Sequence, residues 1–143
     1  MSVLLIVDDE QIDRELFRNI LQRQGHTILE ASNYSQAVET FDRHSREVDL
    51  LIADVALPER NGCELAKHLL GIEPQLGVLF VSRFVGYEVC KQYGIPVSDL
   101  HFLPKPFVAR ELVARVDEIL NSPRKSPFPV PGEAGDEKRR AHS

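Results

Sequence analysis

Polar residues that could carry out chemistry follow the short apolar runs of this sequence. They are Asp8, Asp9 and Glu10 after the first run, Asp54 after the third, Ser82 after the fourth, and Lys105 with Pro106 beyond the fifth. Three carboxylates gathered in one place repel one another unless a cation lies between them, and oxygen ligands without His or Cys favour Mg²⁺. Magnesium often bridges carboxylates to phosphate, and a lysine and a hydroxyl suit a phosphoryl group. The set therefore predicts a Mg²⁺ site for phosphoryl chemistry.

The apolar runs themselves must bring these residues together. The runs are Val3 to Val7, Thr27 to Ala31, Leu50 to Ala53, Val78 to Val81 and Leu100 to Leu103. They alternate with segments of helical spacing, and nearly all-apolar strands that alternate with helices indicate a parallel sheet covered on both faces. In such doubly wound α/β folds, ligands bind beyond the carboxyl ends of the strands, where the polar residues are predicted to lie.

Five helices are predicted to separate and follow the strands. Their apolar stripes are Ile12, Leu16, Ile20 and Leu21 in the first, Ala37, Val38 and Phe41 in the second, Leu65, Leu69 and Leu70 in the third, and Leu112, Val113, Val116, Ile119 and Leu120 in the fifth. The fourth is predicted over roughly 85 to 93, before Gly94. We expect Gly25 to end the first helix and Asn33 or Ser35 to cap the second.

Length and charge narrow the class of protein. A chain of 143 residues is long enough for one domain with a sizeable core and too short for two ordinary ones. The net charge of -5 argues against nucleic acid as a partner, and the apolar start has neither a basic flank nor the length of a membrane span.

Cys63 and Cys90 match no zinc or disulfide spacing, which favours packing roles in a reducing, cytoplasmic setting. Residues 122 to 143 are proline-rich and then charged, which predicts a flexible tail.

Four motifs together resemble the bacterial response-regulator receiver family. They are Asp8-Asp9-Glu10, Asp54 with Leu57-Pro58 and Asn61-Gly62 after it, Ser82, and Lys105-Pro106-Phe107. Each motif alone is weak, but all four occur in order at the ends of the first, third, fourth and fifth strands. The resemblance implies a receiver domain over residues 1 to 121, with a flavodoxin-like sheet of strand order 2-1-3-4-5, five helices and a role in a two-component phosphorelay.

The resemblance implies a role for each carboxylate. Asp54 would be the phosphoacceptor, whose carboxylate attacks the phosphorus of a partner's phosphohistidine. Asp9, Asp54 and the backbone carbonyl of Ala56 would bind Mg²⁺ directly, and Asp8 would hold a metal-bound water.

The resemblance to the receiver family also implies a conformational switch. Lys105 and Ser82 would contact the phosphoryl oxygens, and the Lys105-Pro106 bond would be cis. Ser82 would move towards the new phosphoryl group while Phe102 turns inward. The readout surface would comprise the fourth helix, the fifth strand and the fifth helix.

Two features depart from the family pattern. Arg83 stands where receivers commonly have a small residue, so we expect it to restrict access of the phosphoryl donor. Ala56 and Phe84 stand at two positions that influence loss of the phosphoryl group in this family. Because both are apolar and cannot orient an attacking water, we expect slow self-dephosphorylation.

The expected partners are a histidine kinase or histidine phosphotransfer protein and a downstream protein target, with no nucleic acid or membrane. The segment Glu-Leu-Val-Ala-Arg-Val, which contains Glu111 and Arg115, resembles receivers that dimerise through the last helix, but the helical spacing of the two residues favours an ion pair within the helix. Because no output domain follows Asn121, we expect a stand-alone signalling domain that catalyses only its own phosphorylation and dephosphorylation.

Three other functions remain open at this point. A degenerate receiver could act as a phosphorylation-independent interaction module, which Arg83 permits. An aspartate-nucleophile hydrolase of similar architecture would usually place its nucleophile on the first strand, and here the candidate lies on the third. A flavin-binding module would need a phosphate-cradling loop after the first strand, which this sequence lacks.

Overall fold

The computed structural model describes residues 2–44, 46–83, 92 and 101–122. The elements in chain order are β1 Val3–Val7, α1 Gln11–Gln22, β2 Thr27–Ala31, α2 Tyr34–Arg43, β3 Leu50–Asp54, α3 Gly62–Ile72, β4 Gly77–Ser82, β5 Phe102–Pro104 and α4 Ala109–Leu120. The helix predicted over 85 to 93 lies outside the described residues apart from Gln92, as does the predicted tail beyond Ser122. The helix here named α4 is therefore the fifth of the sequence prediction.

The five strands form one parallel sheet of order β2-β1-β3-β4-β5. This confirms the doubly wound α/β prediction and its strand order. Strands β3 and β4 lie inside the sheet, and each of their residues is buried, as their uninterrupted apolar sequence requires.

Alternate strand residues build the core on opposite faces of the sheet, because successive side chains of a strand point to opposite sides. On one face, Leu5 belongs to a cluster with Phe41 of α2 and Leu65 of α3. On the other face, its neighbour Leu4 belongs to a cluster with residues of α1 and α4, among them Phe17, Leu21, Leu112 and Val116. Both faces are therefore covered by helices, and the polar residues are left at the strand ends.

The strand boundaries differ from the predicted runs by a residue or two. Strands β3 and β4 each extend one residue further and end at Asp54 and Ser82, and β5 is a three-residue strand from Phe102 instead of a run from Leu100. Hydrogen bonding continues past the apolar runs, since the Val55 N–H donates to the Val81 carbonyl at 3.0 Å. Two of the polar residues thus belong to the sheet itself.

The predicted helix boundaries are largely confirmed. Asn33 is the cap of α2, and its side-chain oxygen accepts a hydrogen bond from the Gln36 N–H at 2.8 Å. Gly25 follows α1 with φ of 90°, a conformation that glycine adopts without the strain of a side chain. Among the described residues, no helix is both long and apolar enough to cross a membrane.

Candidate functional site

Lys105 is the centre of the polar site. Its Nζ donates hydrogen bonds to Asp8 Oδ2 at 2.7 Å, to Asp13 Oδ2 at 2.8 Å and to Asp54 Oδ2 at 2.9 Å. Asp8 follows β1, Asp54 ends β3 and Lys105 follows β5, so three separate strands supply these groups. The structure therefore brings together the acidic and lysine positions that the sequence singled out.

The site is buried although it is polar. Of the described residues, the buried polar or charged side chains are Asp8, Asp54, Ser82 and Lys105. Burying a charge is costly unless it is paired and hydrogen-bonded. The three contacts of Lys105 provide that pairing, so the cluster can persist inside the fold.

Local backbone hydrogen bonds fix the two buried carboxylates. Asp8 Oδ1 accepts from the Glu10 N–H at 2.9 Å, and Asp54 Oδ1 accepts from the Ala56 N–H at 2.9 Å. In both cases the aspartate binds the N–H two residues further on, a turn that aspartate commonly forms. One oxygen of each carboxylate is thereby anchored, and the other faces Lys105.

Asp8, Asp9 and Asp54 form a cluster suited to a divalent cation. One carboxylate oxygen from each lies within 4.8 Å of the others, and Asp9 is exposed while the other two are buried. Three carboxylates without His or Cys, open to solvent on one side, fit Mg²⁺, which keeps several of its waters. Ala56 lies in the exposed part of the loop that follows Asp54, and the metal-binding role of its carbonyl stays a prediction.

The pKa shifts follow from this geometry. Burial raises the pKa of Asp8 more than its bonds to Lys105 and the Glu10 N–H lower it. Burial alone would lower the pKa of Lys105, but hydrogen bonds to Asp13, Asp8 and Asp54 outweigh it and raise that pKa. Lys105 is therefore firmly protonated and is a fixed positive charge beside Asp54.

Asp13 is a site residue that the sequence analysis missed. It lies in the first turn of α1, and burial would raise its pKa, but the hydrogen bond from Lys105 and the charges of Lys105 and Arg83 lower it overall. Its signal in the sequence is its spacing, four residues after Asp9 at the start of a helix. An acidic residue in that turn faces the strand ends.

Arg83 contacts α1 across the edge of the site. Its Nη2 lies 3.4 Å from Asp13 Oδ2 and 3.8 Å from Glu10 Oε1, and its side chain is 53% exposed. The expectation that Arg83 restricts donor access stays a prediction.

The end of β5 shows two further features of the site. The Lys105-Pro106 bond is cis, as the resemblance implied, and the Lys105 N–H donates to the Ser82 carbonyl at 2.8 Å. Ser82 is buried at the end of β4, and Phe102 is partly buried in β5 against the α2 and α3 side of the core. The switching roles of Ser82 and Phe102 stay predictions.

The helix-internal ion pair predicted in the last helix is wrong. Among residues 101–122, which are all described, no ion pair joins Glu111 to Arg115; instead Glu111 Oε1 accepts from the Val108 N–H at 3.0 Å. Glu111 is the third residue of α4, and a glutamate there can satisfy a free N–H at the helix start.

Comparison with known proteins agrees with the fold. The family described as "Response regulator receiver domain" matches residues 4–117. The transcriptional regulatory protein CpxR of Klebsiella pneumoniae subsp. pneumoniae (strain HS11286) is 33% identical over 135 residues, which cover 94% of this chain and 56% of CpxR.

Two solved structures are similar in both sequence and fold. The receiver domain of the hybrid histidine kinase CckA is 32% identical with a TM-score of 0.69, covering 84% of this chain and 100% of that one. The response regulator TrrA of Thermotoga maritima, solved in complex with Mg(2+)-BeF, is 28% identical with a TM-score of 0.70, covering 82% of this chain and 98% of its own.

A parallel five-stranded sheet with an acidic cluster and a lysine at its carboxyl edge defines a phosphoacceptor-type signalling fold. The chain belongs to the response regulator receiver domain family of two-component systems. This membership disfavours the hydrolase and flavin-binding alternatives. The chain spans about half the length of the CpxR relatives that it matches.

Proposed function

We propose that this domain accepts a phosphoryl group on Asp54 from a phosphohistidine of a histidine kinase or histidine phosphotransfer protein. The observation that carries the proposal is the 2.9 Å hydrogen bond between Lys105 Nζ and Asp54 Oδ2, beside the carboxylate cluster of Asp8, Asp9 and Asp54. A nucleophile, a fixed positive charge and a set of metal ligands thus lie within one small region.

In the transfer, an Asp54 carboxylate oxygen forms a bond to phosphorus as the bond from phosphorus to the histidine nitrogen breaks. The electron pair of the broken bond stays on the imidazole, and Asp54 becomes an acyl phosphate. Lys105 contributes a protonated amine that is already in place, so charge that develops on the phosphoryl oxygens meets a donor without rearrangement of the backbone. The anchor from the Ala56 N–H to Asp54 Oδ1 keeps the nucleophile oriented.

We assign Mg²⁺ as the cofactor, held by Asp9, Asp54 and the Ala56 carbonyl, with Asp8 holding a metal-bound water. When bound, the ion would neutralise the carboxylates and offset negative charge on the phosphoryl oxygens. The Mg(2+)-BeF complex of the T. maritima relative supports this assignment.

The output of the domain is a change in protein binding. Phosphorylation would draw Ser82 towards the new oxygens and turn Phe102 inward, which favours one of two existing states. The altered surface includes β5 and α4 and would bind a downstream protein, or a second copy through α4. The function proposed here is that of the receiver domain. We also propose a cytoplasmic location, since the spacing of Cys63 and Cys90 matches neither a zinc site nor a disulfide framework.

Intact-mass measurement after incubation with acetyl phosphate and Mg²⁺ tests the proposal. We expect a gain of one phosphoryl group in the wild type and none in Asp54→Asn or in the presence of EDTA. If Mg²⁺ binds but no adduct forms with acetyl phosphate or with a phosphorylated histidine donor, the degenerate receiver is the better interpretation.

A further inference from the structure

Two cationic side chains share one carboxylate oxygen at the edge of the site. Asp13 Oδ2 lies 2.8 Å from Lys105 Nζ and 3.4 Å from Arg83 Nη2. The distance between Lys105 Nζ and Arg83 Nη2 therefore cannot exceed the sum of these two distances. A single anionic group can contact both nitrogens at once. In the present structure that group is the Asp13 carboxylate.

The Arg83 side chain is able to exchange partners. It is 53% exposed, and its distances to Asp13 and Glu10, 3.4 and 3.8 Å, exceed those of strong charge-assisted hydrogen bonds, roughly 2.7–2.9 Å. By contrast, Lys105 is 5% exposed and makes three short contacts. Arg83 is thus the weakly held cation of the pair, and carboxylates at the start of α1 and just before it hold it beside the site.

The backbone places Arg83 next to the reacting groups. It follows Ser82 directly, and the Ser82 carbonyl accepts the Lys105 N–H at 2.8 Å. Asp54 lies opposite Val81 in the neighbouring strand. The Arg83 guanidinium lies 3.4 Å from Asp13 Oδ2, an oxygen that also contacts Lys105. It therefore needs only a side-chain movement to reach another anion that contacts Lys105.

We propose that Arg83 is a second cationic ligand of the phosphoryl group on Asp54, which it contacts by leaving Asp13. The inference rests on the proposed function of Asp54. Conversion of the Asp54 carboxylate to an acyl phosphate adds negative charge to a site where Lys105 and Arg83 already contact four carboxylates, those of Asp8, Glu10, Asp13 and Asp54. The planar guanidinium can donate two parallel hydrogen bonds to phosphoryl oxygens, which Lys105 cannot do.

Arg83 as a phosphoryl ligand and Arg83 as an obstruction to the donor predict opposite effects of its removal. If Arg83 only blocked the entrance, its removal would strengthen binding of a phosphoryl mimic. If it is a ligand, its removal weakens that binding. The sign of one measured change therefore separates the two roles.

Calorimetric titration with beryllofluoride, a stable mimic of the phosphoryl group, in the presence of Mg²⁺ measures this change. We expect Arg83→Ala to weaken binding by about three- to tenfold, the range for a charge-assisted contact at a partly exposed position. Arg83→Lys should retain part of the affinity, and the effect of Arg83→Ala should shrink at high salt because an exposed contact is screened. Arg18→Ala is the matched control, because Arg18 of α1 pairs with Glu30 of β2 at 2.8 Å and its loss changes the net charge equally.

Equal or tighter binding by Arg83→Ala would overturn the inference and leave the phosphoacceptor role intact. Equal weakening by Arg18→Ala would also overturn it, because the effect would then be one of net charge. Failure of the wild-type protein to bind beryllofluoride with Mg²⁺ would instead contradict the proposed function itself, so the two failures are distinguishable.

Discussion

At the scale of the residue, the site depends on the balance between burial and charge pairing around Lys105. A buried lysine without partners would lose its proton, and a buried aspartate without partners would gain one. Here burial raises the pKa of Asp8, while the three carboxylates raise that of Lys105 against the effect of its own burial. The lysine therefore stays charged, whereas burial makes the Asp8 carboxylate easier to protonate than an exposed aspartate.

Asp13 is expected to stabilise the fold through its two cationic partners. We expect Asp13→Asn to lower the free energy of unfolding at pH 7 by about 1 kcal/mol, the typical net contribution of such a hydrogen bond. Because the folded-state pKa of Asp13 is lowered, this contribution is present above the unfolded value of about pH 4 and is lost as the pH falls through the folded value.

Urea unfolding of the wild type and Asp13→Asn at neutral pH and near pH 3 measures this difference, which should shrink towards zero in acid. Asp42→Asn, an exposed position on α2, is the control for a change of net charge. A difference between wild type and Asp13→Asn that persists unchanged in acid would contradict the assignment, since it could not arise from the ionised carboxylate.

At the scale of the element, the site is assembled by strand ends and held by the loop that follows β3. Gly62 begins α3, and its N–H donates to the Val55 carbonyl at 3.0 Å. A Cβ at Gly62 would collide with the Asp54 carbonyl oxygen and would lie 3.0 Å from the Asp54 carbonyl carbon and 3.2 Å from Val55 Cα. The start of α3 thus packs directly on the backbone of the proposed phosphoacceptor.

Gly62→Ala is expected to destabilise the protein by about 1–3 kcal/mol, because the backbone must move to admit the methyl group. Gly71→Ala is a matched control in the same helix, since a Cβ there would have nothing within 4 Å. We expect that control to be neutral or stabilising by up to about 1 kcal/mol, since alanine favours the helix more than glycine does. Denaturant unfolding of both variants measures the contrast, and similar stability of the two would show that the close approach to Asp54 is unimportant.

The sequence predicted the elements well where the apolar run and the strand coincide. Strands β1 and β2 match their apolar runs at both ends, Val3–Val7 and Thr27–Ala31. Strands β3 and β4 run one residue further because hydrogen bonding continues through Asp54 and Ser82. The pattern of apolar residues alone cannot predict this extension. Contacts between distant side chains, such as Arg83 with Asp13, depend on the relation of α1 to β4 and have no local signal.

At the scale of the whole molecule, the apolar and polar parts of the fold are separated. Two core clusters cover the two faces of the sheet, and the acidic cluster lies at one edge of it. The fold class and most of the site were predictable because four of the five strands, β1, β3, β4 and β5, end at or next to a polar or charged residue that the sequence singled out. Asp13 was not, because an acidic residue in the first turn of a helix is common in any protein.

Because the fold gathers its acidic cluster at one edge of the sheet, we expect a divalent cation to stabilise the whole domain. The native state gathers Asp8, Asp9 and Asp54 within 4.8 Å, whereas the unfolded chain does not. A ligand that binds only the native state adds about 2.7 kcal/mol at a concentration one hundred times its dissociation constant. We expect Mg²⁺ to raise the midpoint of thermal unfolding in a concentration-dependent manner.

Asp9→Asn should reduce this response to Mg²⁺ without loss of the fold, because Asp9 is exposed and lies outside the Lys105 cluster of hydrogen bonds. Thermal unfolding followed by circular dichroism, in Mg²⁺ and in NaCl of equal ionic strength, separates binding from screening. If NaCl raised the midpoint as much as Mg²⁺, or if Asp9→Asn responded as fully as the wild type, the carboxylates would be only a screened acidic patch. A specific response to Mg²⁺ that depends on Asp9 would instead show that the cluster binds the ion before any phosphoryl group arrives.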